Sequence, residues 1–179
     1  MRRLIFILSF LLPLIFHSVA FCDELIVYGD GFSFVVSEPA NWTGDSSNAI
    51  KLNANIIFYT KQRSENPAII RVRVNSKLDE NTNEDLNYDM EQYKTKYPEI
   101  NFKNISVTHP RYSVYPKLFY IPNDFYEYVT YINPGPDFNK MFSVSMNIQK
   151  REATEDEFNA YKKVIESLLF ITEDVNIEK

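Results

Sequence analysis

The feature that most restricts the fold is a series of strand-patterned runs joined by very short turns. Residues 117–121 and 125–132 are separated only by Pro122-Asn123-Asp124. The next run, residues 141–149, follows a turn over 133–137 that contains two prolines. Because parallel neighbours need a connection of about a dozen residues or more, such turns indicate antiparallel pairing. The sequence therefore predicts an antiparallel sheet in this half of the chain.

Runs of the same kind fill the N-terminal half. Residues 25–28 and 32–36 flank a Gly-Asp-Gly turn, which predicts a hairpin. Residues 55–60 and 68–75 form another pair, and a further strand is expected at about 101–108. In the run 68–75 the arginines at positions 71 and 73 alternate with apolar residues, so one face of that strand should meet water.

Two stretches carry the helical period instead. Leu86, Met90, Tyr93 and Tyr97 recur at helix spacing after a capping Thr82 or Asn83 and before Pro98. The second stretch opens at Thr154 with the T-x-x-E form of a capping box, and its apolar residues line one face. The predicted order is four strands, a helix, four strands and a helix. This order indicates an α+β domain, in which a mostly antiparallel sheet of about seven to eight strands is flanked by two main helices as an α/β/α-type sandwich.

The N-terminus has the layout of a secretory signal peptide. Arg2 and Arg3 precede an apolar run over residues 4–16, and the small residues Ser18 and Ala20 follow. The run is shorter than the ~20 residues that span a bilayer. We therefore expect a signal peptide over 1–20 with cleavage near Ala20, one domain over 21–171, and a polar C-terminal tail over 172–179.

Cys22 leaves an alternative open. Bacterial lipoproteins carry a lipid on a cysteine at a similar place, but that cysteine normally follows a small residue, whereas Phe21 precedes Cys22. The favoured prediction is a periplasmic or secreted protein without an anchor. The alternative is a lipoprotein that is attached to the membrane through Cys22. A lone cysteine forms no internal disulfide, so the domain depends on its core.

Composition argues against several function classes. The formal net charge of −5 disfavours nucleic acid as a partner, since phosphate binding needs clustered Lys and Arg. Four glycines and no phosphate-binding fingerprint disfavour a nucleotide enzyme. Residues 79–85 begin like a calcium loop, but Glu84 stands where glycine belongs and Met90 where glutamate belongs. We predict no metal and no cofactor.

Catalytic residues are equally hard to find. His109 is the single histidine after the expected cleavage site, and no nucleophile elbow accompanies it, so it is interpreted as an exposed loop residue. Asp124, Glu127 and Asp137 could supply a carboxylate pair, but nothing in the sequence sets the distance between them. We predict no catalytic residue and expect that the protein is not an enzyme.

Aromatic residues are concentrated between positions 112 and 142. In residues 125–132 neither face of the strand is cleanly polar, which fits a sheet that is covered on both faces. The other interpretation is a binding surface, because tyrosine combines a large contact area with a polar tip. The candidate residues for contact with a ligand or partner are Tyr112, Tyr115, Tyr120, Tyr126, Tyr128, Tyr131 and Phe138.

One segment resembles a known family. The stretch YGDGFSFVVSEPANW, with Gly31, Phe32, Phe34, Pro39 and Trp42, resembles the opening of the PsbP-like superfamily, which includes the DcrB-type exported bacterial proteins. In architecture the similarity covers most of residues 25–171. The resemblance implies accessory, protein-binding and assembly roles rather than a shared catalytic site.

These observations lead to one main functional hypothesis. We expect an exported, non-enzymatic accessory protein that binds a protein or peptide partner through its aromatic-rich face. A domain that binds a small molecule or a lipid with the same rings is the alternative, and a hydrolase ranks third. No oligomeric state follows from the sequence.

Overall fold

The structure, a computed structural model, describes residues 24–61, 65–78, 80 and 82–171. The predictions for the signal peptide, for Cys22 and for the polar C-terminal tail lie outside these residues. Among the residues described, no helix is both long and apolar enough to cross a membrane.

The described chain forms strands, two α-helices and one short 3-10 helix at Ala49–Leu52. The α-helices are α1 (Asn83–Lys96) and α2 (Glu155–Ser167), and α2 begins with the predicted capping box at Thr154. The strands are β1 (Glu24–Gly29), β2 (Phe32–Ser37), β3 (Trp42–Asp45), β4 (Ile56–Thr60), β5 (Ile69–Ser76), β6 (Asn101–Asn104), β7 (Ser113–Ile121), β8 (Phe125–Asn133), β9 (Lys140–Gln149) and β10 (Leu169–Phe170).

The strands form two antiparallel sheets. The larger sheet has seven strands in the order β3-β4-β5-β9-β8-β7-β6. The smaller sheet has three strands in the order β1-β2-β10. Every neighbouring pair is antiparallel, including the two hairpins predicted around residues 122–124 and 133–137. The predicted α+β class with a mostly antiparallel sheet and two helices is confirmed.

The main core lies on one face of the seven-stranded sheet, where α2 and the three-stranded sheet pack. Phe34 of β2, Val72 of β5 and Phe142 of β9 meet there and are fully buried. Tyr161 of α2 is also fully buried, and its hydroxyl bonds to Thr130 Oγ1 at 2.8 Å and to the Val144 carbonyl at 3.2 Å. These two hydrogen bonds satisfy a polar atom that would otherwise be costly in the core.

Helix α1 packs on the opposite face and covers only part of it. Leu86 and Tyr93 of α1 belong to a second apolar cluster with Phe119 of β7 and Val129 of β8. The face of β5 that bears the arginines, together with the neighbouring polar residues of β9, lies beside α1 and stays half-buried. The wet face predicted for residues 68–75 therefore borders a helix.

Two short strands were not expected from the sequence. Trp42 is buried and opens β3 at the edge of the large sheet, where it pairs with Thr60. β10 follows α2 directly and pairs with β2, with Leu169 opposite Val35. Strands of four and two residues are too short to show an alternating pattern.

Candidate functional site

The aromatic residues that the sequence suggested for binding do not share one surface. Tyr126 and Tyr128 are buried in the core below α2, where their hydroxyls accept the backbone N–H groups of Asn123 and Ala153. Tyr131 is buried on the α1 face of the same strand. Tyrosine and phenylalanine are favoured strand residues, so this run fills the core on both faces of β8.

The remaining members of that set are half-buried, and each packs against a different neighbour. Tyr112 stacks on His109 with 4.6 Å between ring centroids, and Tyr120 stacks on Tyr126 at 6.0 Å. Phe138 stacks on Phe170 at 5.6 Å, while Tyr115 packs against the cluster below α1. A role in binding for these rings stays a prediction.

A groove runs between α1 and the uncovered half of the large sheet, and we call it the Arg71 groove. Three adjoining pockets form it, with volumes of about 460, 120 and 320 Å³. Arg71 lines all three pockets, so they meet at this residue. The groove floor comes from β5 and β9, and one wall comes from α1.

Two polar contacts hold Arg71 in place, and a tyrosine of α1 bonds to one of its two partners. Its Nη2 lies 2.5 Å from Oε1 of Glu127, and its Nε donates to Oγ of Ser145 at 3.1 Å. Tyr93 of α1 donates its hydroxyl to the other oxygen of Glu127 at 2.5 Å. Burial, followed by the adjacent Glu127 carboxylate, raises the pKa of Tyr93, so this hydroxyl stays protonated and acts as the donor. Both oxygens of Glu127 are thus occupied.

Arg73 lies one strand repeat further along the groove. Its Nε donates to the Asn53 carbonyl at 2.5 Å, and within the described part of the chain its terminal nitrogens make no ion pair. Asp89 lines the same pocket, but its Oδ2 accepts the hydroxyl of Tyr131. Burial and this hydrogen bond to Asp89 raise the pKa of Tyr131. The groove therefore offers guanidinium donors, whereas its most buried carboxylate, that of Glu127, is already bonded at both oxygens.

Apolar side chains flank the charged centre on both sides. Ile69, Pro67 and Leu52 line the pocket on the β4–β5 side. On the α1 side the rings of Tyr97 and Phe125 lie 6.1 Å apart and close to parallel. A ligand in this groove would meet charge at the middle and apolar surface beside it.

Part of this arrangement is predictable from the sequence. The alternation in β5 places Arg71 and Arg73 on one wet face, and Glu127 is a candidate carboxylate, but no local pattern connects them. The connection depends on β9 pairing with both β5 and β8, which places Arg71 opposite Ser145 and Ser145 opposite Val129, next to Glu127. The local signal was a single acidic residue in an otherwise apolar and aromatic strand, since a buried acid normally requires a partner.

The structure shows no assembled centre for metal binding in the residues it describes. No group of three or more His, Cys, Asp or Glu side chains is arranged there to hold an ion.

Asp85, at the start of α1, is buried, and this burial raises its pKa. Its Oδ1 accepts the Leu78 N–H at 3.2 Å. Asp85 thus acts as a local cap for the preceding turn.

His109 has a structural position and is half-buried rather than exposed. Its Nδ1 accepts the backbone N–H groups of Arg111 and Tyr112 at 3.0 and 2.9 Å. Its Nε2 lies 2.9 Å from the Leu168 carbonyl, so the network assigns the ring proton to Nε2. Burial lowers the pKa of His109, with a further contribution from the charge of Arg111. The neutral ring ties the loop before β7 to the end of α2.

Replacing His109 with alanine should lower stability at pH 7.5 by about 1–2 kcal/mol, because two backbone N–H groups and one carbonyl lose their partner. The folded-state pKa lies below the ordinary ~6.5, so the stabilisation is complete above that value and falls as pH drops through the lowered pKa. The difference in the free energy of unfolding between wild type and His109→Ala should therefore be smaller at pH 5.5 than at pH 7.5. Urea unfolding of both proteins at the two pH values measures it. An equal difference in the free energy of unfolding at both pH values would contradict the conclusion that the His109 ring is neutral and hydrogen-bonded in the folded protein.

Comparison with known proteins supports the fold. No family model matches the chain, and no curated protein matches it in sequence. The structure is similar to that of LpqN from Mycobacterium tuberculosis, described as involved in cell envelope biogenesis, with a TM-score of 0.53 and 17% identity over 85% of this chain and 92% of LpqN. A protein of known structure from Bacteroides thetaiotaomicron matches with a TM-score of 0.37 and 15% identity over 78% of this chain and 46% of its own. The resemblance to the PsbP-like superfamily stays a prediction, and the likeness to LpqN shows a shared fold.

Proposed function

We propose that the chain is an exported, non-enzymatic accessory domain that binds a protein or peptide partner in the Arg71 groove. The observation that carries the proposal is the meeting of three pockets at Arg71, on the half of the sheet that α1 leaves open. The signal-peptide pattern supports export. LpqN, which has the same fold, is described as involved in cell envelope biogenesis, and this supports a role in the envelope.

The shape and lining of the groove favour a polypeptide as its occupant. The floor follows β5 from Ile69 to Arg73, a span of roughly 13 Å at ~3.3 Å per residue. Apolar, charged and polar side chains all line it, so it can contact several side chains of an extended peptide. Interfaces of this kind are enriched in aromatic residues and arginine. Tyr97 and Phe125 supply the aromatic surface in the groove.

The state of the acidic residue in the groove supports a non-enzymatic role. A general base must be free to take a proton from a bound substrate. Both oxygens of Glu127 are instead engaged by Arg71 and by the hydroxyl of Tyr93. Glu127 in this arrangement orients Arg71 rather than reacting.

Selection from a library of random displayed peptides tests the proposal. Ser143 lines the groove floor, so Ser143→Trp should fill the groove with an indole ring. Ser33→Trp is the matched control, because Ser33 is a half-buried strand serine on the outer side of the small sheet, opposite Tyr28. We expect peptides that bind the wild type and the Ser33→Trp variant and that lose at least about tenfold in affinity for Ser143→Trp.

Two results would overturn the proposal. One is the absence of any selected peptide that binds with a dissociation constant below about 1 mM, which corresponds to only about 4 kcal/mol of binding free energy. The other is a set of peptides that bind Ser143→Trp as well as they bind the wild type. Peptides that are lost only in Ser33→Trp would place the binding surface on the small sheet. Circular dichroism and urea unfolding verify that both variants are folded.

A further inference from the structure

We infer that the Arg71 groove recognises a carboxylate side chain of its partner, with apolar side chains of the same extended segment on either side. The inference rests on the proposed function, because it names the chemical class of peptide that the groove accepts. Arg71 and Arg73 are the residues that would hold the carboxylate.

Arg71 and Arg73 supply charged hydrogen-bond donors to the groove. Among the described residues, the bonds of Arg71 use its Nη2 and Nε, which leaves Nη1 available. Arg73 bonds to other described residues only through its Nε, so its two terminal nitrogens have no partner among them. The two arginines are separated by one residue on β5, so their side chains project from the same face of the sheet. A guanidinium matches the two oxygens of a carboxylate with parallel hydrogen bonds.

The acids that line the groove do not compete equally for these donors. Glu127 is 6% exposed and already pairs with Arg71 and Tyr93. Asp89 lines the groove and accepts the Tyr131 hydroxyl at its Oδ2, and Glu65 lies at the exposed rim. Lys96 adds a third cation on the α1 side, where its Nζ sits 5.0 Å from the centre of the Tyr97 ring. Guanidinium donors without a partner among the described residues therefore line the groove, while Arg71 neutralises its most buried carboxylate, that of Glu127.

Glu127 also prepares Arg71 for binding. A long arginine side chain loses rotamer freedom when it is fixed on a ligand, and this loss weakens binding. The bonds from Arg71 to Glu127 and Ser145 fix the side chain before a ligand arrives. The Arg71 side chain therefore loses its rotamer freedom on folding, and this loss does not weaken binding of the ligand.

The apolar surfaces beside Arg71 define the neighbours of the acidic residue. In an extended peptide, side chains two positions apart point the same way and lie roughly 6.6–6.8 Å from each other. Ile69 and Pro67 on one side and Phe125 on the other can then receive apolar side chains that flank the acid. The predicted class is an extended segment that has an acidic residue with apolar residues two positions before and after it.

A matched peptide series tests the inference. The peptides are Ac-Xaa-Ser-Zaa-Ser-Xaa-NH2, in which each Xaa is Leu, Val or Phe and Zaa is Glu or Gln. Dissociation constants are measured by two-dimensional NMR titration against the wild type, Arg73→Gln and the control Arg111→Gln. Arg111 is exposed on the loop before β7, away from the groove. The peptides selected for the proposed function are measured beside this series, each with its acidic residues changed to the corresponding amides.

We expect the Glu peptides to bind the wild type at least about tenfold more tightly than their Gln partners, because hydrogen bonds to a charged group are about twice as strong as neutral ones. Arg73→Gln should reduce this ratio by about threefold or more, and Arg111→Gln should leave it unchanged. The titration should also shift the Nε–H signals of Arg71 and Arg73.

The outcomes separate this inference from the function on which it rests. If the Glu and Gln peptides bind equally well while the selected peptides still fail to bind Ser143→Trp, the inferred recognition of a carboxylate is overturned. The groove then remains a peptide-binding site. A Glu preference that persists in Arg73→Gln and falls in Arg111→Gln would overturn the assignment to this groove. If no peptide from either source binds, the proposed function fails and the inference fails with it.

Discussion

Replacing Phe142 with alanine is expected to lower the free energy of unfolding by about 3–5 kcal/mol, the usual range for a buried phenylalanine. Phe142 lies on β9 and is fully buried. Its ring stands edge-on to Phe34 of β2, with 5.2 Å between centroids, and stacks on Phe170 of β10 at 4.0 Å. Removing the ring leaves a cavity where the two sheets meet. Urea unfolding, followed by far-UV circular dichroism, measures the loss.

Phe102→Ala is the matched control for this prediction. Phe102 lies on the edge strand β6 and is only half-buried, although its ring also packs edge-on against Phe119 at 5.0 Å. Phe102→Ala should lower the free energy of unfolding clearly less than Phe142→Ala does, because water can enter the space that the Phe102 ring leaves. Equal losses for the two variants would mean that Phe142 does not join the sheets as the structure indicates.

The fold was largely predictable from local patterns. The short turns around Asn123 and Gly135 fixed antiparallel neighbours, and Thr154 and Glu157 marked the start of α2. The division into two sheets was not predictable in this way. The smaller sheet is completed by β10, which has only two residues and is reached after α2, and a backbone bond from Ile171 to Ser33 extends this pairing. Contacts over such sequence distances leave no periodic signal in either segment.

The candidate site was predictable only in pieces. The alternation in β5 was sufficient to place Arg71 and Arg73 on a wet face, because period-2 patterns report which face meets water. The aromatic residues of β8 carried no such information. Tyr126, Tyr128 and Tyr131 suit a doubly covered strand as well as a binding surface, and the structure buries them. The sequence also leaves open whether Glu127 is a structural or a functional residue. Its distance to Arg71 follows only from the pairing of β9 with both β5 and β8.

The second large effect is expected at Glu127. Glu127→Ala should lower the free energy of unfolding by about 2–4 kcal/mol, since it leaves Arg71 without its counter-charge and the Tyr93 hydroxyl without its acceptor. We place the value below the ~3–5 kcal/mol of a fully buried pair, because the Arg71 side chain is 27% exposed and water screens it in part. Glu127→Gln keeps an acceptor for Tyr93 and should cost less than Glu127→Ala.

A double variant separates the charge from the packing. Arg71→Met combined with Glu127→Leu removes both charges and fills the volume with apolar atoms, and such replacements are often neutral or stabilising. It should therefore be at least about 1 kcal/mol more stable than Glu127→Ala in urea unfolding. A double variant that is less stable than Glu127→Ala would show that packing, and not the unpaired guanidinium, dominates at this site. Because the double variant should fold while lacking the central guanidinium, only Arg73 remains to hold the carboxylate, and its preference for the Glu peptides should be smaller than that of the wild type. If the double variant remains stable but discriminates less between the Glu and Gln peptides than the wild type does, the ion pair serves recognition rather than the stability of the fold.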